Sequence, residues 1–182
     1  MRPHHLLPFL LALLPSCQTS SGPIFEEGTA RSSFAGSWSK VTTSPPKGAD
    51  QDTTTLETAF TAGAFATPQI ETGLKGSFFD QDAGKTSLRA WDAGLYGRYW
   101  FQDRGSLRTW VEGDLGYAQG RSQGISDRNV FWGLGAGMTQ FLTESTAVEL
   151  GLVFDHRSFR FRGGGDTTIS TLAVQIAYAI FL

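Results

Sequence analysis

The sequence predicts an all-β chain, an eight-stranded antiparallel up-and-down transmembrane β-barrel, and three observations carry that reading. The first is alternation. In the stretch from Arg128 to Phe159, Val130, Trp132, Leu134, Ala136 and Met138 share one parity while Gly133, Gly135, Gly137 and Thr139 share the other. After the break at Thr143-Glu144-Ser145, Val148, Leu150, Leu152 and Phe154 oppose Glu149, Gly151, Val153, Asp155 and Arg157. Successive strand side chains point to opposite faces, so each run is a strand with one greasy and one small or charged face. The second is composition: 22 glycines and 13% aromatics suit a turn-rich β protein, and no window offers 18 consecutive apolar residues for a membrane helix. The third is the rhythm of the connections, which alternate between short and long.

In chain order, residues 1–16 read as a secretory signal: MRPHH gives a weakly positive start and Leu6 to Leu14 a largely apolar run. Leu14-Pro15-Ser16-Cys17 resembles a bacterial lipoprotein cleavage box, which implies cleavage before Cys17 and acylation of its sulfur. A plain signal with an incidental cysteine is the alternative. Gln18 is compatible, by the same resemblance, with onward transport to the outer membrane. Residues 17–32 read as a flexible, lipid-tethered linker, and residues 33–182 as the barrel. Cys17 is the only cysteine, so no internal disulfide and no cysteine zinc site are expected. Beyond the signal, His156 is the only histidine, which limits metal and acid–base chemistry. Arg2 leaves with the signal, so 15 cations less one against 17 acids gives a net charge of −3. No basic patch suggests nucleic acid, and no cofactor is called for.

Eight strands follow, at roughly 33–43, 53–66, 69–79, 87–102, 106–119, 128–142, 146–160 and 168–182. Thr67-Pro68, Asp103-Arg104-Gly105 and Thr143-Glu144-Ser145 join strands tightly, whereas SPPKGADQD, DQDAGKT, GRSQGISD and FRGGGDT are longer. Outer-membrane barrels have short periplasmic turns and longer external loops. Strand three sets Ile70, Leu74 and Phe78 against Glu71, Lys75 and Ser77. Strand four sets Trp91, Ala93, Leu95, Tyr99 and Phe101 against Asp92, Gly94, Tyr96 and Arg98. Strand five sets Leu107, Val111, Leu115 and Tyr117 against Arg108, Glu112, Asp114 and Gly116. Strand eight sets Leu172, Val174, Ile176, Tyr178 and Ile180 against Thr171, Ala173, Gln175 and Ala177.

A soluble sandwich buries its bulky face, whereas a small membrane barrel turns it to lipid and fills a crowded lumen with small and paired charged residues. The expected lumen charges are Glu57, Glu71, Lys75, Asp92, Arg98, Arg108, Glu112, Asp114, Glu149, Asp155 and Arg157. Phe65, Tyr96, Trp100 and Trp110 fall on the same parity as lumen fillers. Trp38, Trp91, Trp132, Tyr99, Tyr117 and Tyr178 read as an interface girdle. Runs of about 11 to 16 residues exceed the globular norm of about 5 or 6 and suit a bilayer crossing.

Three segments are similar to the small outer-membrane barrel domains of the OmpA/OmpX type: residues 64–73 (AFATPQIETG), Gly97-Arg98-Tyr99-Trp100-Phe101, and residues 136–143 (AGMTQFLT) with Ala147-Val148-Glu149-Leu150. The resemblance covers most of 33–182. It implies a monomer in the bacterial outer membrane, recognised by the barrel-assembly machinery and solvated by outer-membrane lipid. The expected role is non-enzymatic, structural or surface-interacting through the external loops. These barrels usually end on an aromatic residue, whereas this chain ends Phe181-Leu182.

Three other readings stay open. His156-Arg157-Ser158 resembles the His-x-Ser-Asn motif of PagL-type lipid A deacylases, in which a serine nucleophile and histidine base attack an acyl ester. Residues two apart on one strand face are about 7 Å apart at Cα, close enough to meet. However, Phe159 occupies the asparagine position, no acid stands on the outward parity of strand eight, and Asp166 falls in the glycine-rich loop Gly163-Gly164-Gly165-Asp166. A narrow pore through the charged lumen is the second, and a lipid-tethered soluble β-barrel binder, with faces inverted, the third.

Overall fold

The computed structural model describes residues 25–44, 51–82, 87–101, 105–122, 125–161 and 165–182. The signal segment, the first part of the linker with Cys17 and Gln18, Asp103 and Arg104 of the second tight turn, and the centres of the four longer connections lie outside the described residues. The strands are β1 (Ala30–Ser44), β2 (Gln51–Thr67), β3 (Ile70–Asp82), β4 (Ser87–Trp100), β5 (Leu107–Ser122), β6 (Ile125–Phe141), β7 (Thr146–Phe161) and β8 (Gly165–Phe181). Each pairs antiparallel with its sequence neighbours, and β1 closes on β8 from Arg31↔Phe181 to Ser44↔Thr168. Closure leaves no open edge, which inside hydrocarbon would carry unsatisfied amide groups.

The faces sort by parity as expected. Leu115, Leu134 and Leu150 are 59%, 58% and 39% exposed, whereas Glu112 and Arg98 are 8% and 5% exposed. Trp38, Trp91, Tyr99, Tyr117, Trp132 and Tyr178 all stand on the exterior, and Phe65, Tyr96, Trp100 and Trp110 all fill the interior. A soluble binder with its bulky side chains inward is thereby excluded. The inverted sidedness is a surface for lipid, and a cation placed on it should be costly. Replacing Leu95, which lies in the middle of β4 opposite Leu74 and Leu115, by arginine is expected to cost about 2–4 kcal/mol. Urea unfolding of the lipid-reconstituted barrel measures it.

The tight turns have local causes. Thr67 Oγ1 accepts from the backbone N–H groups of Gln69 and Ile70 at 3.3 and 3.1 Å, fastening the β2–β3 hairpin around Pro68. A register shift between Phe65 and Thr67 accompanies it. Gly105, at φ +105°, supplies a left-handed residue before β5 that a side chain would strain. Thr143 Oγ1 accepts from the Ser145 N–H at 3.2 Å in the β6–β7 turn.

Several boundaries differ from expectation: β3 and β6 run into the expected loops, and Asp166, expected in the glycine-rich loop, lies in β8 paired with Arg160. The linker expected over 17–32 ends earlier, because Ala30, Arg31 and Ser32 already belong to β1 and pair with both β2 and β8. Their small and polar character resembles a tether. On a barrel strand, though, polarity at an inward position is what the lumen requires, and Arg31 is buried there. Phe25, further upstream, is also buried, 2% exposed.

Candidate functional site

The barrel encloses a lumen, and it is filled in layers. At the end bearing the tight turns and the strand termini lies an aromatic floor of Phe25, Phe65, Trp100, Trp110, Phe141 and Phe181, with Ala147 and Ala179. Phe25 stacks on Phe65 at 4.1 Å and on Phe181 at 5.3 Å between centroids, and meets Trp100 edge-on at 5.2 Å. Aromatic pairs in such geometries add to their area burial. Arg108 is half-buried here, its guanidinium 4.3 Å from the Phe25 ring centre. It thus belongs with the floor rather than with the ion pairs above, where parity alone would group it.

Above the floor runs a continuous ion-pair layer. Glu149 is bracketed by two guanidinium groups: Arg31 donates to it at 3.2 and 2.6 Å, and Arg98 at 3.2 and 3.1 Å. Arg31 also reaches Glu71 at 3.1 Å, and Trp100 Nε1 donates to Glu71 at 3.0 Å, with the Tyr96 hydroxyl on the other Glu71 oxygen. Arg98 holds Glu112 through Nε at 2.9 Å and a terminal nitrogen at 2.6 Å. Lys75 bridges Glu112, at 3.4 Å, to Asp114. Such doubled, charge-assisted bonds fix geometry as well as energy.

A second cluster sits nearer the long connections. Arg157 donates to Asp92 at 3.0 and 2.5 Å and to Glu57 at 3.2 Å, with Asp155 3.8 Å away. Ser77 donates to Glu57 at 2.6 Å. An apolar lid of Val41, Phe79, Ala90, Ala118, Phe131 and Ile169 covers this cluster. Glycines on the inward parity give the large rings their space. A Cβ on Gly137 would stand 2.5 Å from Trp110 Cζ2, and one on Gly151 2.9 Å from its Cη2.

All the expected lumen charges lie inside, and the structure joins Glu71, Lys75, Arg98, Glu112, Asp114 and Glu149 into one layer and Glu57, Asp92, Asp155 and Arg157 into the other. Sequence reading missed Arg31, which bridges Glu71 to Glu149, and Phe25. The available signal for Arg31 was its parity: it lies an even number of residues before Ser33, Ser37 and Ser39, all of which face inward.

His156 and Ser158 share the outward parity, as expected, but the structure does not bring them together. His156 Nδ1 lies 3.2 Å from Ser170 Oγ across the β7–β8 pair, and its ring packs 5.3 Å from that of Trp132. Ser158 is exposed opposite Thr168. Among the described residues no carboxylate bonds His156, and the side chains of Phe159 and Asp166 lie outside them. An oriented imidazole needs a third group, and among the described residues none completes a triad there.

A closed eight-stranded barrel with a lipid-facing apolar exterior and a polar, charge-paired interior is an outer-membrane-type β-barrel. The solved structures that this chain resembles agree on that fold. Neisserial surface protein A superposes with a TM-score of 0.63 at 12% identity, over 81% of this chain and 97% of that one. The outer membrane protein OprG of Pseudomonas aeruginosa superposes with a TM-score of 0.52 at 9% identity, over 88% and 99%. No protein-family model and no curated protein matches the sequence.

Proposed function

We propose that this chain serves the bacterial outer membrane as a non-enzymatic, non-conducting barrel that presents its four longer connections to partners at the cell surface. The supporting observation is the filled lumen. Eight strands leave an interior just wide enough for side chains, and here an aromatic floor and an apolar lid bracket two interlocked charge layers. An ion crossing it would have to displace both apolar layers and break bonds such as Arg98–Glu149 and Arg157–Asp92. The charged interior is thus a cohesive core, and interaction falls to what the rims carry. Acylation at Cys17 belongs to the same proposal, as a second anchor at the end where β1 starts, and the barrel-assembly machinery and surrounding lipid are its proposed partners.

Planar-bilayer recording of the purified barrel is expected to show no unitary conductance above the bare membrane. Discrete openings would replace this reading with a pore. Lipid A from cells expressing wild type and Ser158→Ala is expected to carry identical acyl chains. Loss of one chain only with wild type would make the protein a hydrolase.

A further inference from the structure

The upper half of the lumen holds more acid than base. Among the described residues seven carboxylates are buried inside the barrel (Glu57, Glu71, Asp92, Glu112, Asp114, Glu149, Asp155) against four buried cations (Arg31, Lys75, Arg98, Arg157) and a fifth, Arg108, half-buried in the floor. Seven less five leaves two negative charges. Glu112 is shared between Arg98 and Lys75, so around the upper cluster only Lys75 and Arg157 face Glu57, Asp92, Asp114 and Asp155. Uncompensated buried charge costs several kcal/mol per ion, so something must offset it.

The geometry shows where. Asp114 and Asp155 are 7% and 6% exposed, and each has an Oδ1 atom that is buried without a hydrogen-bond partner. Both register with Gly133, Asp114 from β5 and Asp155 from β7. A Cβ built on Gly133 would meet the Oδ1 atoms of both, Asp114's at 2.5 Å. The two unpartnered oxygens therefore converge on the one spot where β6 carries no side chain. Each aspartate's other oxygen turns towards a cation: Asp114 Oδ2 bonds Lys75, and Asp155 Oδ2 lies 3.8 Å from Arg157. A third unpartnered oxygen is Asp92 Oδ1, and Asp92 lines a neighbouring cavity of about 20 Å³. That volume suits one water, and Glu57, Lys75, Asp155 and Arg157 share the wall with Ser37, Ser77 and Gln175.

We propose that the folded barrel binds a proton at neutral pH, shared between the carboxyl groups of Asp114 and Asp155 above Gly133, with a water in the adjoining cavity. Two carboxylates forced together cannot both ionise, and one proton turns their repulsion into an O–H···O⁻ hydrogen bond. A metal ion fits less well. Among the described residues no three acid or histidine groups converge as ligands, and Lys75 and Arg157 line the cavity and would repel it. A proton adds directly to an Oδ1 and needs no coordination shell. The groups facing the pair are Lys75 from β3, Asp92 from β4, Glu112 from β5, Arg157 from β7 and, across the cavity, Glu57 from β2.

Infrared spectroscopy of the full barrel in lipid at neutral pH tests this. The expected result is an un-ionised carboxyl band, equivalent to one group per chain, that shifts when aspartate is isotope-labelled and disappears in Asp155→Asn and Asp114→Asn. Labelled wild type decides the matter by itself if either variant fails to fold. Absence of the band, or a band insensitive to aspartate labelling, overturns the proposal. So does a wild-type thermal midpoint that rises in sodium chloride over choline chloride at equal ionic strength, because a bound cation would then be the compensating charge. This outcome is independent of whether the lumen conducts.

Discussion

Replacing Glu149 by alanine is expected to destabilise the barrel by about 3–5 kcal/mol, the cost of leaving a buried ion partner uncompensated. Glu149 is the meeting point of two guanidinium groups that are themselves almost fully buried, Arg31 and Arg98. Without it Arg31 retains Glu71 and Arg98 retains Glu112, but the two cations then face each other with no carboxylate between them. Thr139, whose hydroxyl lies 3.4 Å from Glu149 and accepts from Trp110 Nε1 at 3.1 Å, loses one neighbour too. A comparison fixes the interpretation. Truncating the pair together, Arg31→Met with Glu149→Leu, removes charge and countercharge at once, and is expected to recover much of the loss. Urea unfolding in lipid, followed by tryptophan fluorescence and by migration of unboiled samples, gives both values. Equal destabilisation by the single and double variants would mean that packing rather than charge compensation holds this layer.

The parity of side chains made most of this fold legible in advance, and the reason is geometric. A strand's period of two residues is local, so Leu134 outward and Gly133 inward can be read without knowing any neighbour. Height in the lumen is a different quantity. It depends on how far each strand is staggered against the next, and that is set by turns and bulges such as the shift at Phe65 and Thr67. Hence Arg98 and Glu112 could be assigned to the interior, whereas the joining of Arg31 to Glu149 across 118 residues could not. The same limit explains Arg108, which shares the parity of Glu112 and lies a layer below it. For His156 the missing information was cross-strand register. Looking two residues along β7 suggests Ser158, but the side chain directly opposite on β8 is Ser170, and that is the one His156 meets. The end of the linker and the place of Phe25 were hidden for a compositional reason: a polar stretch with one phenylalanine reads as a tether until a hydrophobic floor is known to await that ring.

That ring supports the second large prediction. Phe25→Ala is expected to cost about 3–5 kcal/mol, the range for emptying a buried phenylalanine site. Phe25 is not part of any strand; it enters the floor from the segment preceding β1, which turns at Gly28, at φ +90°, and is held by the Gly28 N–H bonding the Phe65 carbonyl at 2.9 Å. Its ring touches Phe65, Trp100, Phe141 and Phe181, residues from β2, β4, β6 and β8. One side chain thus ties together alternate strands around the circumference, and the barrel wall cannot collapse to fill the vacancy because hydrogen-bonded strands fix its radius. Water should enter instead, and it would then face the buried Glu71 and the Trp100 ring above it. The expected signature is a red-shifted Trp100 emission together with the lost stability, while Phe25→Leu, which keeps the space filled, shows a smaller loss and little shift. A Phe25→Ala barrel with wild-type unfolding and unchanged emission would mean that the floor is complete without the N-terminal segment.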